Sequence, residues 1–212
     1  MQKPKKFCLL KDHHQLKSLV GDTDIYLLDQ VLKDRYTPTD IILDAGCGSG
    51  RNMHWFIQND ITIYGIDSNE QSILQLQTSN PSTPKERFLV AAVENMPFPD
   101  NYFDHIISSA VLHFARSTPH FLQMFSELVR VLQPGGSLFI RMTSDIGIEN
   151  SVSEITAGVY DIPDGSVRFL LTRPLLGSLL KQHRLTLIEP LKTVNVNDAR
   201  CMSTLVLRKA IV

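Results

Sequence analysis

The sequence is poor in cysteine. Cys8, Cys47 and Cys201 are odd in number, widely scattered and never in CxxC spacing. That predicts neither a disulfide framework nor a zinc site, and a cytoplasmic, reducing setting is the expectation. No apolar run approaches the ~18–20 residues that cross a bilayer. Lys11, Asp12, His13 and His14 interrupt the place where a secretory leader would be apolar, so neither export nor a membrane partner is expected. An excess of one charge is missing too. The 21 basic and 22 acidic residues leave a formal net charge of −1, so no long-range field draws the chain to nucleic acid. Lys3, Lys5 and Lys6 read as a short solvated tail. There is no internal repeat and no low-complexity tract.

What is present is an ordinary globular chain. Its 212 residues, 43% of them hydrophobic, can bury one sizeable core. Residues 12–36 read as helical, with Ile25, Leu28, Val31 and Leu32 at helical spacing. Strand-like runs then alternate with helical ones. Strands are expected at Ile41–Asp44, Ile61–Ile66, Arg87–Ala92, Phe103–Ser109 and Ser137–Met142. Helices are expected around Met53–Ile57, around Ser72–Leu76, and from Thr118 to a stop at Gln133-Pro134-Gly135-Gly136. This alternation predicts an α/β fold, a mostly parallel sheet with helices on both faces. Arg173-Pro174 opens a last helix. Leu185–Val196 and Met202–Leu207, joined by a short polar turn, can only pair antiparallel, because a parallel crossover needs a dozen or more residues. Residues 144–171 carry Gly147, Gly158, Pro163 and Gly165 without clear periodicity and read as an insertion or lid.

Ile41 to Asn52 holds the most chemical information. An apolar strand ends in Asp44, Gly46, Gly48 and Gly50 alternate, and a helix begins. Glycines let the chain turn sharply and let a ligand lie against bare backbone, beside the unsatisfied N–H groups of a helix start. The second strand ends in Asp67, where a carboxylate can grip both ribose hydroxyls. The pattern specifies an adenosine-type ligand. A dinucleotide fingerprint would be G-x-G-x-x-G, but Arg51 fills the third position, and Asp44 would repel a pyrophosphate. A cationic ligand suits that acid. A nicotinamide-dependent oxidoreductase is therefore the weaker alternative.

These residues resemble the first motif of class I S-adenosylmethionine-dependent methyltransferases, of the small-molecule, type 11-like kind. Tyr64-Gly65-Ile66-Asp67-Ser68-Asn69 is similar to the family's ribose-binding stretch. Asn95 to Asp104 resembles the approach to its fourth strand, Ser108 to His113 the segment after it, and Leu132 to Leu138 the turn before the fifth strand. The resemblance implies a Rossmann-like three-layer sandwich, with a seven-stranded sheet whose last-in-sequence strand is inserted antiparallel. It implies one domain: a helical cap over 1–38, a cofactor-binding core over 40–142, the lid or insertion at 144–171, and a closing helix and hairpin over 172–212. It also implies S-adenosyl-L-methionine as cofactor, with S-adenosyl-L-homocysteine as product. The acceptor would be a small molecule, and the chain a monomer or homodimer. A protein that binds the cofactor without turnover shares the same loop.

By resemblance, the cofactor residues are Asp44, Gly46, Cys47, Gly48, Gly50, Arg51, Asp67, Ser68, Val93, Glu94 and Ser109. Many relatives place an adenine-binding acid where this chain has Ala92, so backbone near Val93, or Glu94, takes that role here. Arg51 either pairs with the ligand's carboxylate or faces solvent. His113 is the candidate general base and acceptor contact, with a structural, hydrogen-bonded histidine as the other reading. Tyr26 either closes over the pocket or packs inward. No metal is expected, and Pro134-Gly135-Gly136 is read as a turn that contacts nothing.

Overall fold

A computed structural model of the protein describes residues 13–211. The basic tail at Lys3, Lys5 and Lys6, and Cys8, lie outside the described residues. The elements in chain order are α1 (His13–Val20), α2 (Ile25–Leu32), β1 (Ile41–Ala45), α3 (His54–Gln58), β2 (Thr62–Asp67), α4 (Glu70–Ser79), β3 (Phe88–Val90), β4 (Phe103–Ser109) and α5 (Thr118–Val131). There follow β5 (Leu132–Ser144), β6 (Ser153–Thr156), β7 (Val159–Asp161), β8 (Val167–Phe169), α6 (Arg173–Gln182), β9 (Leu185–Leu187), β10 (Lys192–Val196) and β11 (Arg200–Lys209).

The main sheet runs β10-β11-β5-β4-β1-β2-β3, with β9 also paired to β11. Strands β1 to β5 are parallel. The last strand, β11, enters antiparallel to β5, from Cys201 opposite Ser144 to Arg208 opposite Ser137. Side chains alternate across a strand, and this builds the three layers. On one face Leu43, Ile106 and Leu138 pack with Phe121, Phe125 and Leu128 of α5 and with Leu176 and Leu179 of α6. On the other, Ile42, Ile63 and Ile107 meet Leu27 of α2, Phe56 of α3 and Ile73 and Leu76 of α4. The result is the expected Rossmann-like sandwich.

Four local expectations need correction. Within the expected helix over 12–36, the described residues form two helices, α1 and α2, rather than one. Gly21, at φ +59°, closes the first turnwise by donating to Lys17 O, and the Asp24 side chain caps α2 by accepting from Tyr26 N at 2.9 Å. The run Leu185–Val196 splits into β9 and β10, with Pro190 in the gap where no ladder donor exists. Pro134-Gly135-Gly136 lies inside β5 as an irregularity against β4, whose register shifts between Phe103 and His105. It does make contact: a β-carbon on Gly136 would sit 2.6 Å from Asp104 O. The segment 144–171 is not featureless, since β6, β7 and β8 make a three-stranded antiparallel sheet. Strands of three or four residues are too short to show periodicity.

Candidate functional site

The chain leaves β1 at Ala45 and bends over the end of β2, where the N–H groups of Gly46 and Cys47 both donate to Ile66 O at 2.8 and 2.9 Å. Gly46 has φ +82°, and a β-carbon on it would fall 2.3 Å from Val111 Cγ2. Any other residue would push this loop off the chain after β4. Gly48, at φ +54°, faces open space within 4 Å of where its β-carbon would be, which leaves bare backbone to a ligand. Gly50 instead packs on Leu76 of α4.

Asp67 closes β2 and binds this loop. Its Oδ2 accepts from Gly48 N at 2.9 Å, and its Oδ1 from Asn69 N at 2.8 Å. Each carboxylate oxygen keeps a further lone pair for another donor. Asp44 is 1% exposed, and its Oδ2 has no hydrogen-bond partner among the described residues. Burial raises its pKa to about 7; Arg51 opposes the rise and the charge of Asp67 adds to it. A buried carboxylate without a donor costs free energy unless a cation or proton meets it.

Above these residues lies a cavity of about 480 Å³. Gly46, Asp67 and Ser68 form one side, and Ala91, Ala92, Val93 and Glu94 after β3 form the next. Ala110, Val111, Phe114 and Arg116 after β4, with His120 and Met124 of α5, complete it. Ala110 holds φ +63°, a conformation rare for a residue with a side chain, and its N–H donates to Arg141 O at 2.7 Å. The cavity therefore sits at the carboxyl ends of β1 to β4, where open α/β sheets take ligands.

The other named residues fall elsewhere. The Cys47 thiol is turned into the core with Met53 and Phe56, and burial pushes its pKa up. Arg51 is half-exposed, 3.9 Å from Asp24. Ser109 is buried, its Oγ donating to Asp24 Oδ2 at 3.1 Å. Tyr26 lies beneath the guanidinium of Arg141, 5.0 Å from ring centroid to Cζ. His113 does not line the cavity. It is buried, and its Nδ1 accepts from Thr143 N at 3.4 Å. Burial first, then the charges of Arg168, Arg200 and Arg141, lower its pKa to about 4. The geometry is that of the hydrogen-bonded histidine.

Two groupings were not foreseen. His120 is the histidine in the cavity wall. Its Nδ1 accepts from Arg116 N at 3.1 Å, so the neutral ring carries its proton on Nε2, 3.2 Å from Glu94 Oε1. The Thr118-Pro119 helix start was visible, but the return of α5 onto the loop after β3 was not. Asp24, 4% exposed, ties the N-terminal cap to the ends of β4 and β5 through Ser109 and Arg141 Nη1, each at 3.1 Å. Its backbone N–H donates to Asn52 Oδ1. Among the described residues no cluster of three or more His, Cys, Asp or Glu side chains could hold a metal ion. No helix among them is long and apolar enough to cross a membrane.

This geometry has relatives. Residues 43–140 match a family model described as a methyltransferase domain. The tRNA U34 carboxymethyltransferase of Pseudoalteromonas atlantica is 34% identical over 126 residues, 58% of this chain and 36% of that protein. The chain spans less than half the length of the first curated relatives it matches. A solved S-adenosylmethionine-dependent methyltransferase of Methanosarcina mazei superposes with a TM-score of 0.70 at 20% identity, covering 86% of this chain and 98% of that one. The 1,6-didemethyltoxoflavin-N1-methyltransferase of Burkholderia thailandensis, solved with its substrate and S-adenosylhomocysteine, superposes at 0.66 and 17% identity, over 93% of this chain and 82% of that one. Residues 43–140 of this chain thus resemble a methyltransferase domain, and its fold is shared with solved S-adenosylmethionine-dependent methyltransferases.

Proposed function

We propose that this chain binds S-adenosylmethionine in the cavity over β1 to β4 and transfers its methyl group to a small-molecule acceptor. The observation that carries the reading is the pairing of two acids around one bare loop. Asp67 lines the cavity, and the buried Oδ2 of Asp44 lacks a partner behind it. Two carboxylates suit a ligand with a sulfonium and an ammonium, and disfavour the pyrophosphate of a dinucleotide. The open backbone at Gly48 leaves room for such a ligand.

In this reading Asp67 accepts from the ribose hydroxyls while still pinning Gly48. Ser68, the backbone near Val93, and Glu94 hold the adenine, with Ala92 and Met124 packing on it. Gly46 keeps the loop close to the chain after β4, where backbone at Ser109 and Ala110 meets the amino-acid end. Arg51, near Asp24, is in place for the ligand's carboxylate. When bound, S-adenosylmethionine supplies a methyl carbon already activated by a sulfonium, so the protein chiefly aligns the acceptor with it. Alignment alone is worth ~7–11 kcal/mol. The chain's own part would be to hold an acceptor nucleophile in line with that carbon and to keep water out. The cap over 13–38 and the β6–β8 sheet frame the acceptor side. His113 supports the wall through Thr143; the histidine in the wall itself is His120.

The small-molecule reading is supported by the balanced charge, which offers no stripe for tracking nucleic acid. Incubating the protein with methyl-labelled S-adenosylmethionine and a fractionated metabolite extract tests it. Label is expected in a low-molecular-mass product. Label that stays in bound cofactor is the result of a protein that binds without turnover.

A further inference from the structure

The cavity carries charge of both signs, and the proposed cofactor leaves Arg116 in its wall without a role. Asp67 and Glu94 line the side built by the ends of β2 and β3, with Asp44 buried behind them. The lip after β4 is cationic and aromatic. Phe114 is 59% exposed although it lines the cavity. The Arg168 guanidinium lies over its ring, 5.0 Å from the centroid. Arg116 lines the same cavity. Among the described residues, neither Arg116 nor Arg168 has a carboxylate within ion-pair distance, a state they share with Arg87, Arg173, Arg184 and Arg208, and of these six only Arg116 lines the cavity and only Arg168 stacks on its rim.

Arg168 is held on a rigid element. It belongs to β8, whose next residue, Phe169, is 1% exposed and stacks on Phe121 of α5 at 4.4 Å and 9°. Leu171 N donates to Thr143 O at 3.1 Å, and Thr118 N to Ala157 O at 2.8 Å, which seats the small sheet on β5 and α5. Arg168 Nη1 donates to Val167 O at 2.7 Å. Its remaining N–H groups have no acceptor among the described residues. A guanidinium stacked on a ring, with donors left over, suits the two oxygens of a planar or tetrahedral anion.

We propose that the methyl acceptor carries an anionic group, a carboxylate or a phosphate, bound by Arg168 and Arg116, with its apolar body against Phe114. As the identity of an acceptor this rests on the methyl-transfer reading; as an anion site it does not. A nucleic acid fits poorly, because two guanidiniums on a chain of net charge −1 make no phosphate-tracking stripe.

Benzoate, phenyl phosphate and neutral benzamide, titrated into the full chain with and without saturating S-adenosylhomocysteine, test the site and separate its two anion classes. At least one anion is expected to bind, and benzamide is not. Arg168→Gln and Arg116→Gln should each weaken that anion about tenfold or more, the loss of charge-assisted hydrogen bonds. Arg168→Lys should recover part of it, and S-adenosylhomocysteine affinity should hold within about twofold in the two Arg168 variants, since Arg168 is given no contact with the cofactor. Equal binding of benzamide, or unchanged anion affinity in both glutamine variants, overturns the proposal. So does binding of unmodified tRNA with no binding of either anion. Failure of S-adenosylhomocysteine to bind sinks the cofactor reading alone, because the anion titration without it still reports on the arginines.

Discussion

The carboxylate of Asp67 and the backbone N–H of Gly48 are joined by a 2.9 Å hydrogen bond. The acid assigned to the ribose thus also fixes the loop on which the rest of the ligand would lie. Asp67→Ala removes both roles and is expected to cut S-adenosylhomocysteine affinity by about 1–3 kcal/mol, the cost of leaving polar groups unpaired. Asp67→Asn keeps one acceptor oxygen for Gly48 and should lose affinity with a smaller fall in melting temperature. Calorimetric titration and thermal unfolding of both variants read the two effects separately.

Asp44 gives a pH signature. Its folded pKa is raised to about 7, mainly by burial, above the unfolded carboxylate value near 4. Between those two values the folded protein holds the proton more tightly, so stability contributed by the protonated acid falls as pH rises through that window. A cationic ligand favours the ionised acid. S-adenosylmethionine affinity is therefore expected to rise with pH up to about 7 and then level off, with proton release on binding near pH 6. Calorimetry in buffers of different ionisation enthalpy measures that release. Asp44→Asn should abolish it.

His113→Phe should behave as a stability mutation. It removes the acceptor of the Thr143 N–H and is expected to cost about 1–3 kcal/mol in urea unfolding. Cofactor affinity in the variant should be unchanged at a temperature where it stays folded. A large drop in turnover without destabilisation would restore His113 as the base.

Phe169→Ala empties the stack on Phe121 that seats the small sheet. The expected loss is about 3–5 kcal/mol, as for other fully buried aromatic truncations. Protease cleavage should then begin in residues 144–171.

How much of this was legible depends on the range of the forces involved. The loop after β1 was readable because its glycines, the acid before it and the acid ending the next strand are local features with a fixed spacing. The mostly parallel sheet followed from strand–helix alternation and the antiparallel closing pair from the short link between β10 and β11, whereas the insertion of β11 beside β5 was implied only by the family resemblance. The small sheet was missed because β6 to β8 have only three or four residues each and are ordered by tertiary partners such as Phe121. The placement of His120 opposite Glu94, and the tie of Asp24 to Ser109 and Arg141, join residues far apart in sequence. No periodicity records such pairs. The break at Gly21 was there to be read, since glycine followed by the Asp24 cap separates α1 from α2.

Parallel calorimetric titrations of the intact protein with S-adenosylhomocysteine and with NAD bear most directly on the cofactor assignment. Saturable one-to-one binding of the former, weakened by Asp67→Ala, with no heat from the latter is the outcome expected. Binding of NAD with none of S-adenosylhomocysteine at millimolar concentration would contradict it.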